Sequence, residues 1–247
     1  MQEKVERELR FLKAYAYGST LVFAVLIFVA AKGPGSAKFT EIDAERINIR
    51  EKDGRLRLAI ANTDRMPGGT IAGVDLSYRD GKRDGAGMIL FNDEGDEDGG
   101  FVWHGKMVNG KAVAGGTIRF DNYRQNEAIG MTHGQEGDDK EDALEVWDQS
   151  NVPISADFAR DLVKIQAMSD GQPKKDALKA LSERHSTEVG HFTRRVFVGR
   201  TSKDEAAVLL NDRKGKPRIR MAVDSSNVAT LQFLDENGKV TYSLPSP

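Results

Sequence analysis

A run of 18 residues without a charged side chain, Ala14 to Ala31, constrains this chain most strongly. Residues 21–29 at its centre are apolar throughout, and Lys13 and Lys32 bound the run. An α-helix rises about 1.5 Å per residue, so the run spans about 27 Å, close to the thickness of a thin bilayer core. The bounding lysines can extend to the two polar surfaces. The sequence therefore predicts a transmembrane anchor over residues 14–31.

The cations that flank this run indicate its orientation. The positive-inside rule places the N-terminus in the cytoplasm and the body outside, because four cations precede the run and two follow it closely. A cleaved secretory signal is the alternative, since Val29-Ala30-Ala31 resembles a cleavage site. Both interpretations export the body; a third alternative is a purely buried core helix. The flanking cations are Lys4, Arg7, Arg10, Lys13, Lys32 and Lys38.

The segments on either side of the anchor divide the rest of the chain. Residues 1–13 predict a cytoplasmic amphipathic helix, because apolar residues recur at Val5, Leu9 and Leu12. Residues 32–38 contain Gly-Pro-Gly-Ser and predict a linker. The exported domain then covers residues 39–247.

Charge and cysteine content restrict the class of protein. Residues 1–38 carry a net charge of +3, and the body carries 30 basic and 35 acidic residues. An acidic body argues against a nucleic-acid partner. The chain has no cysteine, which excludes disulfides and zinc–thiolate sites, so the body must be held by its core alone.

Alternating apolar residues predict that the body is mainly β. Ile47 and Ile49 alternate with polar residues before Asp53-Gly54, and Leu56, Leu58 and Ile60 alternate after it, a strong hairpin pattern. We expect the aliphatic side chains to be buried and the intervening Arg and Ala side chains to face water. Seventeen of the 25 glycines lie between Gly54 and Gly137, as a chain with many tight turns requires.

Further strands follow the same pattern along the chain. Turn residues at 8–12-residue intervals separate them, which is typical of antiparallel sheets. The acidic stretch 136–142 predicts a solvated loop. The predicted strands lie near 74–78, 88–91, 101–103, 117–120, 196–199, 206–210, 218–224, 229–235 and 239–244.

A helical hairpin interrupts the β pattern at about residues 155–186. Ser155 is a candidate N-cap, Gly171 ends the first helix, and Pro173 begins the second. The predicted fold class is therefore mainly β (an antiparallel meander, sandwich or barrel), with a helical hairpin insertion and an N-terminal transmembrane helix.

Several stretches together resemble a family of bacterial single-pass membrane-anchored β-rich proteins with no established activity. The resemblance rests on residues 44–49 before Asp53-Gly54, 91–95 before Gly99-Gly100, Arg218-Ile219-Arg220 and 233–240. It implies a bacterial origin and this architecture. It implies no catalytic residue.

Glu94, Asp96 and Asp98 form the best candidate metal site. They occupy alternate positions before Gly99, and carboxylates at positions 1, 3 and 5 before a glycine are what a calcium loop supplies. Position 12 would be Gly105, so an EF-hand is excluded. A calcium site in a β-loop and a solvated acidic hairpin loop both stay open.

Four cationic side chains near residue 190 form a candidate anion-binding patch. They are His185, His191, Arg194 and Arg195, and the alternative is a cluster of solvated cations at a helix end.

The sequence contains no nucleophile motif, P-loop or zinc-binding helix. We therefore expect a membrane-anchored extracytoplasmic binding or assembly module with a protein partner or a homo-oligomeric state. The alternatives are a carboxylate-dependent hydrolase of the cell envelope, which needs two facing Asp/Glu with raised pKa values, and a sensor ectodomain.

Overall fold

The computed structural model describes residues 2–31, 37–76, 83 and 85–245. It divides into two compact units, Met1–Asp43 and Ala44–Pro247. The first unit contains one helix, α1 (Gln2–Ala31), which joins the two N-terminal segments that the sequence predicted separately. Over Gln2–Phe28 this helix is long and apolar enough to cross a membrane. Linker residues 32–36 lie outside the described residues.

The second unit consists of strands and three helices. Apart from a 3₁₀ turn at Thr63–Arg65, its elements in chain order are β1 (Arg46–Arg50), β2 (Leu56–Ala61), β3 (Thr70–Ile71), β4 (Val74–Asp75), β5 (Ala86–Phe91), β6 (Glu97–Val108), β7 (Lys111–Asp121), β8 (Glu127–Glu136), β9 (Asp139–Gln149), α2 (Ala156–Gln166), α3 (Gln172–Arg184), α4 (Ser186–Val189), β10 (Phe192–Arg200), β11 (Ala206–Asn211), β12 (Pro217–Val223), β13 (Ala229–Leu234) and β14 (Val240–Leu244).

Twelve of the strands form one antiparallel meander in the order β1-β2-β5-β6-β7-β8-β9-β10-β11-β12-β13-β14. The strands β3 and β4 pair separately. The predicted fold class is confirmed, and of the three antiparallel arrangements left open by the sequence the structure has the meander. The strands β1 and β14 are the two edges of this strand order.

One five-residue turn recurs at seven hairpins and explains much of the sequence pattern. Its first residue hydrogen-bonds through the backbone to residues four and five, as Asp235 does to Gly238 and Lys239. In six of the seven turns the fourth residue has a positive φ, which glycine adopts without strain, for example Gly238 at 81°; in the turn that begins at residue 122 the third residue, Arg124, has it instead. In five of the turns the side chain of the first residue also accepts from two backbone N–H groups, as Asp235 Oδ1 does at 2.9 Å. These turns begin at residues 51, 92, 122, 201, 212, 224 and 235.

The helical hairpin is confirmed at the predicted place. The Ser155 side chain accepts a hydrogen bond from Phe158 N at 3.2 Å and caps α2, and Pro173 lies in the first turn of α3. Gln125 holds this segment to the β7–β8 turn, donating to the carbonyl oxygens of Val152 and Glu188.

Three features differ from the sequence predictions. The strands β8 and β9 are not among the predicted strands. The acidic stretch 136–142 is mostly strand, because Glu136 pairs with Asp139 and Gly134 with Glu141 around a tight turn at Gly137. The strand predicted at 74–78 covers only Val74–Asp75 in the structure, and residues 77 and 78 lie outside the described residues.

Candidate functional site

One face of the twelve-stranded sheet is apolar from edge to edge. Strand pairing places side chains opposite one another in two rows that cross all twelve strands, and every position except Gly99 carries a large apolar side chain. We call these two rows the apolar face. The first row is Ile49, Leu58, Leu90, Gly99, Phe120, Ile129, Val146, Val196, Leu210, Ile219, Phe233 and Tyr242, and the second is Ile47, Ile60, Met88, Phe101, Ile118, Met131, Leu144, Val198, Val208, Met221, Leu231 and Leu244.

The apolar face is open to solvent along its length. Exposed fractions reach 57% at Phe120, 55% at Met131 and 53% at Met221, and Ile49 and Tyr242 near the two edges are similar. Neighbouring side chains on a sheet shade one another, so about half exposure at these positions indicates an uncovered face. A continuous surface of this kind marks an interaction site.

The apolar face has a projection at one place and a depression at another. At β6 and β7 aromatic side chains project from it: Phe101 and Trp103 have ring centroids 4.8 Å apart, and Phe120 lies on the next strand. At β10 to β14 the face contains an open depression of about 820 Å³. Its lining includes Val198, Val208, Met221, Val223, Leu231 and Leu244.

The opposite face is covered locally. Ala59, Ala61, Ile89 and Phe91 are buried beneath Met66, which follows the 3₁₀ turn. A second cluster consists of Phe197, which is 1% exposed, surrounded by Ala143, Ala207 and Ala222. Between such clusters ion pairs cross the strands, as Arg194 with Glu145 at 2.7 Å and Arg220 with Glu205 at 2.7 Å.

The expectation that aliphatic side chains are buried is wrong for the first hairpin. Ile47, Ile49 and Ile60 are exposed, whereas Ala59 and Ala61 are buried. The reason is that Met66 covers the alanine face, and small residues allow that close approach. The sequence held one signal for this arrangement: alternation continues through far more strands than one buried layer would need.

Glu94 and Asp96 of the candidate calcium loop are brought together by an arginine. Arg124 donates to Asp96 Oδ2 at 2.8 Å and to Glu94 Oε2 at 2.7 Å. Asp96 is fully buried, and its Oδ1 accepts from the Gly73 backbone N at 2.8 Å. Asp98 does not share this arginine, and burial raises the pKa of its carboxyl.

The alternating acidic pattern at 94–98 has a local structural explanation. Asn92 is the first residue of a recurrent five-residue turn, and its Oδ1 accepts from Glu94 N at 2.9 Å and Asp96 N at 3.1 Å. Glu94 and Asp96 therefore belong to a turn, and the guanidinium of Arg124 balances their negative charges. Within the described residues no three acidic or histidine side chains are grouped so that they could hold a metal ion.

The four candidate anion-binding cations each have a carboxylate partner. His185 Nδ1 lies 2.8 Å from Glu188 Oε1, and Arg194 pairs with Glu145. Arg195 and His191 both approach Asp148, at 3.0 Å and 3.6 Å. The structure brings together Arg195 and His191 only, around a negative charge.

Asp121, which sequence reasoning did not single out, has an unusual electrostatic environment. Burial raises its pKa to about 7, and the negative charges of Glu97 and Glu127 add to the shift. Asp121 pairs in register with Glu127 across β7 and β8, while Glu97 lies 2.5 Å from Arg83 Nη2. No local sequence signal marks such a group, because strands β6, β7 and β8 bring the carboxylates together.

The fold and surface define a class: a mainly antiparallel β protein with an open apolar sheet face and an N-terminal helix long enough to cross a membrane. Comparison with known proteins adds no narrower group, since no family model and no curated protein matches the chain.

Proposed function

We propose that this chain is a single-pass protein of a bacterial inner or cell membrane, with its N-terminus in the cytoplasm and its body outside. There it serves as a binding or assembly module, and the apolar face is the surface through which it binds. The single observation that carries this proposal is the unbroken pair of apolar rows across twelve strands.

The size of the apolar face supports binding as its role. Strands lie about 4.8 Å apart and alternate residues about 7 Å apart, so two rows on twelve strands cover on the order of 800 Å². The largest apolar patch on an ordinary monomer is about 300–600 Å². Burial of apolar surface yields roughly 25 cal/mol per Å², so leaving such a face in water forgoes a large stabilisation.

The position of α1 supports the anchor. Its apolar run lies between lysines with four cations on the N-terminal side, as the positive-inside rule requires for a cytoplasmic N-terminus.

The topology can be tested by cysteine labelling. The sequence has no cysteine, so a single introduced cysteine is the only thiol in the chain that a maleimide can label. A membrane-impermeant maleimide on intact cells should label Asn237→Cys, in an exposed turn, and should spare Glu3→Cys until the membrane is opened.

A labelling-rate measurement tests the role of the apolar face. In native membranes Met131→Cys should react with a bulky maleimide at least roughly tenfold more slowly than the control Met168→Cys, because a bound partner excludes the reagent. Met168 is a suitable control, since it is exposed and lies at the end of α2, outside the strands. Equal labelling rates would show that nothing covers the apolar face and would refute the proposal.

A carboxylate-dependent hydrolase is the second candidate, favoured by one observation. Burial and the neighbouring Glu97 and Glu127 raise the pKa of Asp121 to about 7, and a general acid needs a pKa near the pH at which it works. Its test is envelope-glycan or peptide hydrolysis by the full chain and by Asp121→Asn. Hydrolysis that the substitution abolishes would establish the activity, and equal activity of the two chains would refute the assignment.

A further inference from the structure

We propose that the occupant of the apolar face is the apolar face of a second copy of this chain, so that two sheets pack face to face around a two-fold axis parallel to the strands. This inference rests on the proposed function, since it names the partner of the same surface. The area of the apolar face fits a second copy. Each copy offers on the order of 800 Å², which is about what each partner contributes to a stable protein–protein interface of standard size.

The shape of the apolar face also favours a second copy. The midline of the twelve-strand order falls between β8 and β9. The aromatic projection at β6 and β7 lies on one side of this midline, and β10 and β11, which begin the depression, lie at the same distance on the other. A two-fold axis parallel to the strands at the midline therefore places the projection of each copy over the part of the other copy's depression that lies on β10 and β11. The surface is self-complementary, as an isologous dimer requires.

The direction of the chains favours the same axis. Rotation about an axis parallel to the strands preserves strand direction, so β1 of both copies begins at the same end. This arrangement suits two copies that are anchored in one membrane by α1. A two-fold axis across the strands would reverse β1 in one copy and would match the projection with itself.

The distribution of charge on the apolar face and around it favours a second copy as well. The two rows contain no ionisable side chain except the Tyr242 phenol, so their burial desolvates no charged group. Ionisable residues lie in the adjoining row, where His133 Nδ1 is 2.5 Å from Asp142 Oδ1 and Arg200 is in register with Asp142. An apolar centre with a polar rim is the usual anatomy of a protein interface. The acidic body also disfavours an anionic lipid surface as the occupant.

Cysteine crosslinking of the full chain in native membranes tests this arrangement. Met131 and Leu144 are register partners on β8 and β9, on either side of the proposed axis. Sheets pack about 10 Å apart, so each residue lies within reach of its counterpart through a short bis-maleimide. We expect Met131→Cys and Leu144→Cys each to give a covalent dimer, and Met168→Cys to give at least roughly tenfold less.

A second substitution links the crosslink to the proposed contact. Phe120→Asp puts a charge on the aromatic projection and should reduce the dimer formed by Met131→Cys at least roughly tenfold. Phe120 is 57% exposed within one copy, so the single chain should keep its fold, which circular dichroism checks. A dimer that Phe120→Asp leaves unchanged would overturn the inference, because pairing would then occur elsewhere.

Labelling separates failure of this inference from failure of the proposed function. If neither cysteine gives a dimer and yet Met131→Cys stays shielded from bulky maleimide, the occupant is another molecule, and only the second-copy inference is overturned. If neither gives a dimer and Met131→Cys labels as fast as Met168→Cys, the apolar face is uncovered, and both proposals are overturned.

Discussion

The two faces of the sheet are built by different means. On one face the chain covers its own apolar residues, with Met66 over the alanines of β2 and with Phe197 set among small side chains. On the other face two apolar rows are left open. The sequence therefore has enough apolar residues for two apolar layers, but its strands form only one large sheet. The covered face accounts for the stability of a single copy, and the open face accounts for binding.

The largest expected effect distinguishes the two faces directly. Phe197→Ala, at a residue 1% exposed, should lower the free energy of unfolding by about 3–5 kcal/mol through lost contacts and a cavity. Phe120→Ala, on the open face, should cost less than about 1 kcal/mol in a single copy. Urea unfolding of the detergent-solubilised full chain at a monomeric concentration measures both. Similar losses would contradict the division between the faces.

The next effect concerns the arginine bridge near β5 and β6. Asp96→Ala removes a fully buried carboxylate that pairs with Arg124 and should cost about 3–5 kcal/mol, because the remaining polar groups lose their partner. Glu94→Ala removes the second carboxylate from the same arginine but should cost less than about 1 kcal/mol, since Glu94 is exposed. Thermal melting compares these variants, and equal losses would show that the burial of Asp96 is unimportant.

An intermediate effect is the pH dependence contributed by Asp121. Its pKa is raised from 3.8 to about 7, so the native state binds more protons than the unfolded state between these values. Stability from this group therefore falls as the pH rises from about 4 to about 7. Asp121→Asn cannot ionise and should be more stable than the parent chain at pH 8 and no more stable at pH 4. Because Asp121 is only partly buried, solvent screening reduces the expected gain at pH 8 to on the order of 2 kcal/mol, below what the full pKa shift would give. A difference that does not vary with pH would contradict the raised pKa.

The smallest expected effect concerns calcium. Arg124 already neutralises Glu94 and Asp96, so calcium at about 1 mM, a concentration that suits extracellular calcium modules, should leave the melting temperature unchanged. Magnesium at the same concentration is the control. A rise in melting temperature with calcium alone would support the calcium site predicted from the alternating carboxylates.

Local patterns in the sequence predicted the elements better than their assembly. Asp53-Gly54 and Glu236-Asn237-Gly238 mark hairpins because a positive φ is needed there, and Ser155 marks a helix because its side chain caps α2. Alternation identifies which residues share a face. It does not say which face is covered, because that depends on how the chain turns back after β2 to place Met66 over Ala59 and Ala61.

The candidate sites show the same contrast between what a local sequence pattern predicts and what contacts between distant strands decide. Glu94 and Asp96 lie two residues apart, and their shared partner is Arg124, 28 residues beyond Asp96. Asp121 and Glu97 are similarly remote along the chain. The spacing of the carboxylates suggested a calcium loop, because it shows where the negative charges lie along the chain. It does not show that Arg124, on the neighbouring hairpin, neutralises them. Contacts between strands supplied the missing information.

Counting the copies of the full chain in native-lipid nanodiscs tests the central claim most directly. If the open face of one sheet binds the open face of another, the parent chain should show two copies per particle by single-molecule photobleaching. Met131→Asp, at the centre of the apolar face, should show one, and Met168→Asp should show two. One copy for the parent chain, or two for Met131→Asp, would contradict the account.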